Sequence, residues 1–554
     1  MIDVSNVRVE LGPLDGSEES ERAALRRAVS RKLHLTPDDL ASLEPRRRSV
    51  DARRKAQHDV HLLFTVRVRL RGGANAEQEL LRRLARRQGR DVRLANDRPL
   101  RAPRAPHGGI TTRPVVVGAG CAGLFCALTL AEAGLEPLLV EQGYEADRRG
   151  RDVRRFVETG ELDPRSNIQF GLGGAGAFSD GKLGTGTKSV AHGLILQALV
   201  DAGAPRQILW DAKPHVGSDV LPRVVTRLCE RIRQAGGEVR LGCRLTELSL
   251  AGGRVTAVTL ETVSPTGDVT RERVLANDVV LACGHSARDV FSLLKERGVA
   301  LERKTFAMGV RIEHEQHMVD LAQYGPCAGH PALGAAPYKL VAKAGARRAA
   351  FSFCMCPGGF VVAAASEPGG VVTNGMSLSD RAGRNANAGL LANVFPDDLA
   401  GDDVLAGVAL QRRCERAAFE AGGGSYVAPA QLVGDFLDGV ASSAGAEVRP
   451  TYPRGVAWGS VEGCLPAYVT QALRAAIPQM DRQLRGFASR GAVLTGVETR
   501  SSSPVRVTRG PDLQSVSTRG LWPCGEGAGY AGGIMSAATD GIRVARALAE
   551  GLGR

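Results

Sequence analysis

A chain of 554 residues with 43% hydrophobic content is long enough for roughly two to four domains, each with its own core. No apolar run approaches the ~18–20 residues of a membrane span, and the opening MIDVSNVRVELG lacks the basic-then-apolar order of an export signal, so a soluble cytoplasmic protein is expected. The formal net charge of +13 is concentrated early, because residues 1–114 hold 25 Lys and Arg against 15 Asp and Glu. That patch suits nucleic acid or an anionic surface; the preferred reading is a solvated basic face, with no nucleic-acid partner expected.

In chain order, the first 100 residues read as strand VSNVRVEL, helix SEESERAALRRAVSRKL, strand HLLFTVRVRL and helix NAEQELLRRLARRQG, an α+β unit. Ser17 precedes the first helix and Glu18 and Glu19 occupy its first turn, as capping and the helix dipole favour. The strand from His61 to Leu70 alternates apolar and basic residues after LLF, the pattern of a half-exposed sheet. Pro103, Pro106, Gly108 and Gly109 then mark a linker.

Beyond it the texture becomes strand, glycine loop, helix, strand: RPVVVGAG, CAGLFCALTLAEAG, LEPLLVEQG. A helix over DVLPRVVTRLCERIRQAGG feeds the strand EVRLGC, and alternating strands follow with turns at Gly252, Gly253 and Pro265 to Gly267. The apolar strand DVVLACG comes next. Parallel strand, antiparallel excursion and parallel strand together spell α/β with an inserted meander. Residues 295–490 mix short strands with the helices LAGVALQRRCERAAFEAG and LPAYVTQALRAAIPQMDRQL. The last 60 or so residues return to strand, glycine loop and helix in TRGLWPCGEGAGYAGGIMSAATDGIRVARALAEG.

Gly118, Gly120 and Gly123 form GxGxxG between an apolar strand and a helix, and Glu141 ends the next strand. The first glycine permits a tight turn, the second a close backbone approach to a pyrophosphate, and the third close helix packing; Glu141 suits an adenosine ribose. Ala119, Ala122 and Gln142 belong to the same constellation. The fingerprint alone does not choose between NAD and FAD. Gly525, Glu526, Gly527, Gly529, Gly532 and Gly533 choose FAD: a second set of bare amides before the helix opening at Ile534 suits a longer cofactor.

FGLGGAGAFSDGKLGTG at 170–186, VVLACGHSARDVF, FAMGVRIEH, SFCMCPGG, VVTNGMS, VETRSSSPVR and PCGEGAGYAGGI together resemble the bacterial family of FAD-dependent dehydrogenase-like, or NAD(FAD)-utilizing dehydrogenase, proteins. The resemblance covers nearly the whole chain and is weakest in the first 100 residues. It implies an α/β, FAD/NAD(P)-binding Rossmann-like (three-layer ββα) flavoprotein fold, with an inserted α+β substrate domain and a small N-terminal α+β (ferredoxin-like) domain. The expected boundaries are 1–105 for the N-terminal domain, 113–292 with 491–554 for the FAD domain, and 293–490 for the substrate or cap domain. It further implies FAD held by residues 118–123 and Glu141, by Gly174, Gly176, Phe178, Ser179 and Lys182, and by residues 525–533. Cys283, Gly284 and His285 end a sheet strand, where ligands of open α/β sheets collect.

The expected function is an FAD-dependent oxidoreductase passing a hydride between a small organic substrate, anionic or neutral, or NAD(P)H and FAD. The alternatives are a flavoprotein acting on RNA through its basic N-terminal domain, and a non-catalytic FAD-binding protein. With no second GxGxxG, NAD(P)H would bind transiently at the flavin face; with no CxxC among the 11 cysteines, neither a thiol–disulfide reductase nor a metal centre on local cysteine pairs is expected. Candidate catalytic residues are Arg500, Lys182 and Cys356. Arg500 or Arg506 is suited to clamp a carboxylate or to face reduced flavin, and a structural ion pair with Glu498 is the alternative. His314 and His317 sit at helical i, i+3 spacing, and the Arg run DRRGRDVRRF either covers pyrophosphate or forms a solvated helix face. In an extended FSFCMCPGG strand, Cys354 and Cys356 would share one face at ~6.6 Å, near the upper limit for a disulfide. Buried thiols and one working thiol both remain open.

Overall fold

The computed structural model describes residues 1–54, 59–88, 90–96, 111–264, 267–445 and 447–551. The linker marked by Pro103, Pro106, Gly108 and Gly109, and the turn residue Pro265, lie outside them. The N-terminal unit runs β1 (Ile2–Glu10), α1 (Glu18–Leu33), β2 (Leu40–Arg54), β3 (Asp59–Leu70), α2 (Gly73–Gln88), β4 (Val92–Leu94). Its sheet has the order β2-β3-β1-β4, antiparallel throughout, which is the ferredoxin-like arrangement. The Ser17 hydroxyl accepts from Ser20 N at 3.1 Å and caps α1. Sequence reasoning misses β2 and β4. Pro45 and the basic run after it hide β2, which tolerates both because it is an edge strand with three register shifts. On β3, Arg67 is buried instead of solvated, because Asp3 across the sheet takes its Nε at 2.8 Å.

The five-stranded parallel sheet has the order Leu521–Pro523, Val279–Leu281, Val115–Val117, Leu138–Glu141, Glu238–Leu241. Successive side chains alternate between two cores. Val116, Leu139, Val280 and Trp522 pack with the helices Cys121–Glu132, Leu221–Gln234 and Ile534–Gly551. Val115, Val117, Leu138, Val140, Val279 and Leu281 pack with the antiparallel meander Cys243–Ala251, Arg254–Val263, Val269–Leu275. These are the three layers of the expected Rossmann-like fold. The last helix lies against Cys121–Glu132 so closely that a Cβ on Gly541 would stand 2.1 Å from the Ala122 carbonyl oxygen.

The cap is built on a seven-stranded sheet in the order Val341–Lys343, Ala349–Cys356, Asn385–Val394, Phe306–Glu315, Val493–Glu498, Ala428–Leu432, Val456–Trp458. Val493–Glu498 therefore belongs to this sheet, whereas a boundary at 490 assigns it to the FAD domain. Every residue of that strand is buried, and a short apolar run does not reveal which sheet it joins. His314 ends one strand, with Nε2 2.8 Å from the Phe487 carbonyl, while His317 is exposed on the following helix, so the expected pair does not share a helix face. Among the described residues no helix is long and apolar enough to cross a membrane.

A buried charge network ties the halves together. Arg288, on the helix Arg288–Glu296 of the parallel-sheet half, reaches Glu415 on the cap helix Ala406–Ala421 with bonds of 2.7 and 2.9 Å. Arg500 grips the same carboxylate at 2.9 and 3.0 Å, and Glu367 accepts from Arg288 at 2.6 Å. Two guanidinium groups hold the Glu415 carboxyl far below the usual carboxylate range against the opposing effect of burial. Glu415→Gln leaves two buried cations short of a counter-charge and is expected to cost about 3–5 kcal/mol in denaturant unfolding. Gly541→Ala tests the helix contact: helix propensity alone favours alanine by ~1 kcal/mol, whereas the steric clash predicts a net loss of about 1–3 kcal/mol and a lower unfolding midpoint.

Candidate cofactor and active site

A cavity of about 650 Å³ lies between the C-terminal edge of the parallel sheet, at Val117, Val140 and Ala282, and the cap sheet, at Ser352 to Cys356. Ligands of open α/β sheets bind at that edge. The three fingerprint glycines divide the work. Gly118 has φ +103°, and an added Cβ there would meet the Ala282 oxygen at 2.5 Å. A Cβ on Gly123 would stand 1.8 Å from the Gly118 oxygen, so this position serves packing. Gly120 lines the cavity, and a Cβ there would find only the Gly174 Cα, at 4.0 Å.

Glu141 organises this loop. Its Oε2 accepts from Ala119 N at 2.9 Å, and its Oε1 accepts from Gly143 N and Gly171 N, both at 3.0 Å. Oε1 is thereby filled and Oε2 keeps one acceptor position for a ribose hydroxyl. The loop beyond is pinned by Arg149, which is fully buried and donates to the carbonyls of Asn167, Ile168, Gly171, Leu172 and Gly174 at 2.8–3.3 Å. Arg149 belongs to the run DRRGRDVRRF and neither covers a pyrophosphate nor faces solvent. Burial lowers its pKa to about 10, so it stays cationic at neutral pH.

The second glycine set also divides. Gly532 and Gly533 line the cavity at the start of the helix Ile534–Gly551, and an added Cβ on either would have no neighbour within 4 Å. Gly525 and Gly527 pack against Ala122 and Gly284, with an added Cβ at 2.7 and 2.5 Å. Two helix N-termini with bare approaches on one cavity, and a carboxylate with a free acceptor position, fit the phosphates and ribose of FAD. Between the packing glycines, Glu526 opens onto the cavity, with Oε1 3.6 Å from His285 Nδ1. His285 Nε2 lies 2.9 Å from the Arg500 carbonyl oxygen. Burial pushes the Glu526 carboxyl up to about 7, opposed by Lys304, and pulls the His285 imidazole down to about 4.

At the cap end the strand Ala349–Cys356 is not regular. Phe353 pairs with Gly389 and Cys356 with Asn387, so one extra residue makes a bulge. Cys354 sits at φ +41°, in the left-handed region that a non-glycine residue seldom occupies. The two thiols therefore differ in exposure: both line the cavity, but Cys354 is exposed while Cys356 is buried with Sγ 3.2 Å from the Cys354 oxygen. Although accessible from the cavity, the Cys354 thiol is desolvated by the surrounding walls and pushed up to about 12, with Lys182 and Arg311 pulling the other way. Arg311, fully buried, braces the bulge by donating to the Cys354 oxygen at 3.1 Å, Asn387 Oδ1 at 3.0 Å and Glu498 Oε1 at 3.2 Å.

Of the three candidate catalytic residues, two meet. Lys182 Nζ stands 4.0 Å from Cys356 Sγ and 3.5 Å from Asp180 Oδ2, on the cavity wall. The Arg500 guanidinium is committed to Glu415 and Ser366, so it clamps an internal carboxylate, and Glu498 pairs with Arg311 instead. Arg506 pairs with Glu302 at the surface. Of the cofactor candidates, Ala122, Gln142, Gly174, Gly176, Ser179, Cys283, Gly284, His285 and Ile534 also line the cavity. Ala119, Gly123, Gly525 and Gly527 stand behind its wall. Phe178 turns away, its ring 4.7 Å from the Arg149 guanidinium in a small cluster with Ile168 and Val362. Arg149, Arg311 and Glu415 escape sequence reasoning as site residues; the one signal is a charge inside an otherwise apolar run, as in FAMGVRIEH.

The chain is similar to several known proteins. A family model described as "FAD-dependent protein, C-terminal domain-like" matches residues 305–501, one described as "FAD binding domain" matches 113–148, and a domain of unknown function matches 1–69. Among solved structures, a flavoprotein/dehydrogenase from Cytophaga hutchinsonii is 11% identical, with 80% of this chain and 78% of that one covered and a TM-score of 0.35. A geranylgeranyl bacteriochlorophyll reductase-like protein from Thermoplasma acidophilum is 13% identical, with 79% and 78% covered and a TM-score of 0.36. An uncharacterized protein of Clostridium beijerinckii is 41% identical over 543 residues, 98% of each chain. The chain belongs to the same family as that Clostridium protein, and the FAD-binding-domain match over its glycine cradle marks it as an FAD-dependent protein.

Proposed function

We propose that the protein passes a hydride between a small organic substrate, held against the cap sheet, and FAD, with NAD(P)H meeting the same face as a transient reductant. The observation that carries this reading is the continuity of one cavity from the glycine cradle at Gly118 and Gly120 to the bulged strand at Cys354. Gly118, Gly120, Glu141, Gly532 and Gly533 would hold the cofactor. Bound FAD supplies two-electron redox chemistry; the chain supplies position, proton handling and a dry wall.

Proton handling falls to Glu526 and His285. The Arg500 carbonyl accepts a hydrogen bond from His285 Nε2–H, which leaves Nδ1 as an acceptor facing Glu526 Oε1 at 3.6 Å. A neutral imidazole in that tautomer favours a protonated Glu526, in line with a carboxyl raised to about 7. Near neutral pH this carboxyl both gives and takes a proton at the cavity wall, as a general acid or base requires.

Protein purified without added cofactor, then supplied with FAD, is expected to show flavin absorbance and a higher melting temperature, and anaerobic NADH or NADPH is expected to bleach the flavin. Absence of both flavin retention and thermal stabilisation overturns the reading. A pH series tests Glu526. Its folded carboxyl, near 7 against an ordinary value of 4.5, binds a proton that the unfolded chain has released, so native stability falls as pH rises from about 4.5 to about 7 and is level above. Between about pH 5 and about pH 8, wild type is therefore expected to lose roughly 2 kcal/mol more unfolding free energy than Glu526→Gln. Equal losses in both proteins would remove Glu526 from this role.

A further inference from the structure

Six Lys and Arg side chains line the cavity, and their counter-charges are unevenly supplied: Arg500 is held by Glu415. Arg381 is taken by Asp180, with Nε 3.1 Å from Oδ1. Arg244 is taken by Glu261 at 2.7 Å. The three lysines are different. Lys182 has only Asp180, at 3.5 Å and already shared with Arg381. Among the described residues, the side chains of Lys213 and Lys339 have no hydrogen bond and no ion pair. Glu498, a further carboxylate on the cavity lining, is paired with buried Arg311.

The backbone holds these lysines in place. Leu183 N donates to Pro214 O at 2.8 Å, and Lys182 bridges to His215, so the segments carrying Lys182 and Lys213 run side by side. Lys339 precedes Leu340, which exchanges bonds with Ser352 on the strand that leads into the Cys354 bulge. Lys182 itself reaches that strand at Cys356. The glycine cradle that suits the cofactor phosphates lies at the other end, around Gly120 and Gly174, so these ammonium groups are not needed there. Lys213 is exposed at the cavity opening, and partial desolvation there together with Arg381 holds it below its ordinary value, a positive potential that a bound anion would relieve.

We propose that Lys182, Lys213 and Lys339 form an anion site at the cap end that takes a ligand group bearing two negative charges on oxygen. The proposal rests on reading the cavity as the chamber of cofactor and substrate. Three ammonium groups offer three point charges without a planar fork, which suits a dicarboxylate or a phosphate group more than one carboxylate gripped bidentately. Two sources carry that chemistry: a small dicarboxylic or phosphorylated substrate, and the ribose phosphate that distinguishes NADPH from NADH.

Calorimetric titration of the FAD-loaded protein with succinate, inorganic phosphate, monomethyl succinate and succinamide tests the site. The two dianions are expected to bind at least about tenfold more tightly than the monoanion, with no binding by the diamide. Lys213→Gln and Lys339→Gln are each expected to weaken the dianions by roughly tenfold while flavin absorbance is retained. If NADPH bleaches the flavin faster than NADH and both variants erase that preference, the phosphate of NADPH is the source; equal bleaching with dianion binding assigns a small substrate. The proposal is overturned if neither dianion binds, or if neither substitution weakens binding. Loss of flavin from the wild-type protein is a different failure, that of the function proposed above.

Discussion

The cavity depends on a loop that could not stand without one cation. Residues 167–174 present five carbonyl oxygens inward, and in a buried loop such groups are costly unless each finds a donor. Arg149 satisfies all five with one planar guanidinium. Because that side chain comes from the helix Ala146–Thr159, which follows directly on the strand carrying Glu141, the loop is tied to the nucleotide end of the sheet. Its near part touches Gly120, where an added Cβ on Gly174 would stand 3.1 Å from the Gly120 Cα. Its far part delivers Lys182 to the cap strand. One cation thus sets the distance between the cofactor cradle and the opposite wall.

Buried charges recur wherever two layers meet. Arg288, Arg500 and Glu415 join the parallel-sheet half to the cap; Arg311 and Glu498 join two strands beneath the Cys354 bulge. Such pairs add little net stability over apolar packing, yet removing one partner is expensive, which makes them selective for one relative placement of the parts. A cavity between two separately built sheets needs that placement held, and apolar contact alone is less particular about it. The same logic explains why Arg500 is not free to meet substrate: its guanidinium is part of the strut, and only its carbonyl, by fixing the His285 tautomer, acts toward the cavity.

What the sequence reveals and what it hides follow from the range of the interactions. The fingerprint glycines, the helix cap at Ser17 and the layered parallel sheet are legible because each is set by neighbours a few residues away or by period-two alternation. The placement of Val493–Glu498 in the cap sheet is not legible, since a short, fully buried strand fits either sheet. Arg288 and Glu415 are 127 positions apart, and nothing local to either names the other. Cys354 and Cys356 fail for another reason. The extended-strand geometry assumed for them is right for most of the strand, but a single inserted residue breaks the alternation, leaving one thiol exposed in the cavity and the other buried at its wall.

The N-terminal unit enters the same mechanical chain. Arg48 N donates to Trp210 O at 2.7 Å and Ala212 N donates to Arg48 O at 2.8 Å, so the edge strand β2 continues its pairing onto the body of the protein. The Arg48 guanidinium reaches Glu21 Oε2 at 2.9 Å within its own unit and the Ala332 carbonyl at 3.0 Å in the cap. An exposed edge strand is ordinarily a liability; here part of that edge is covered by the segment that goes on, one residue later, to Lys213. The small basic unit is thereby joined, through Arg48, both to the segment that carries Lys213 and to the cap.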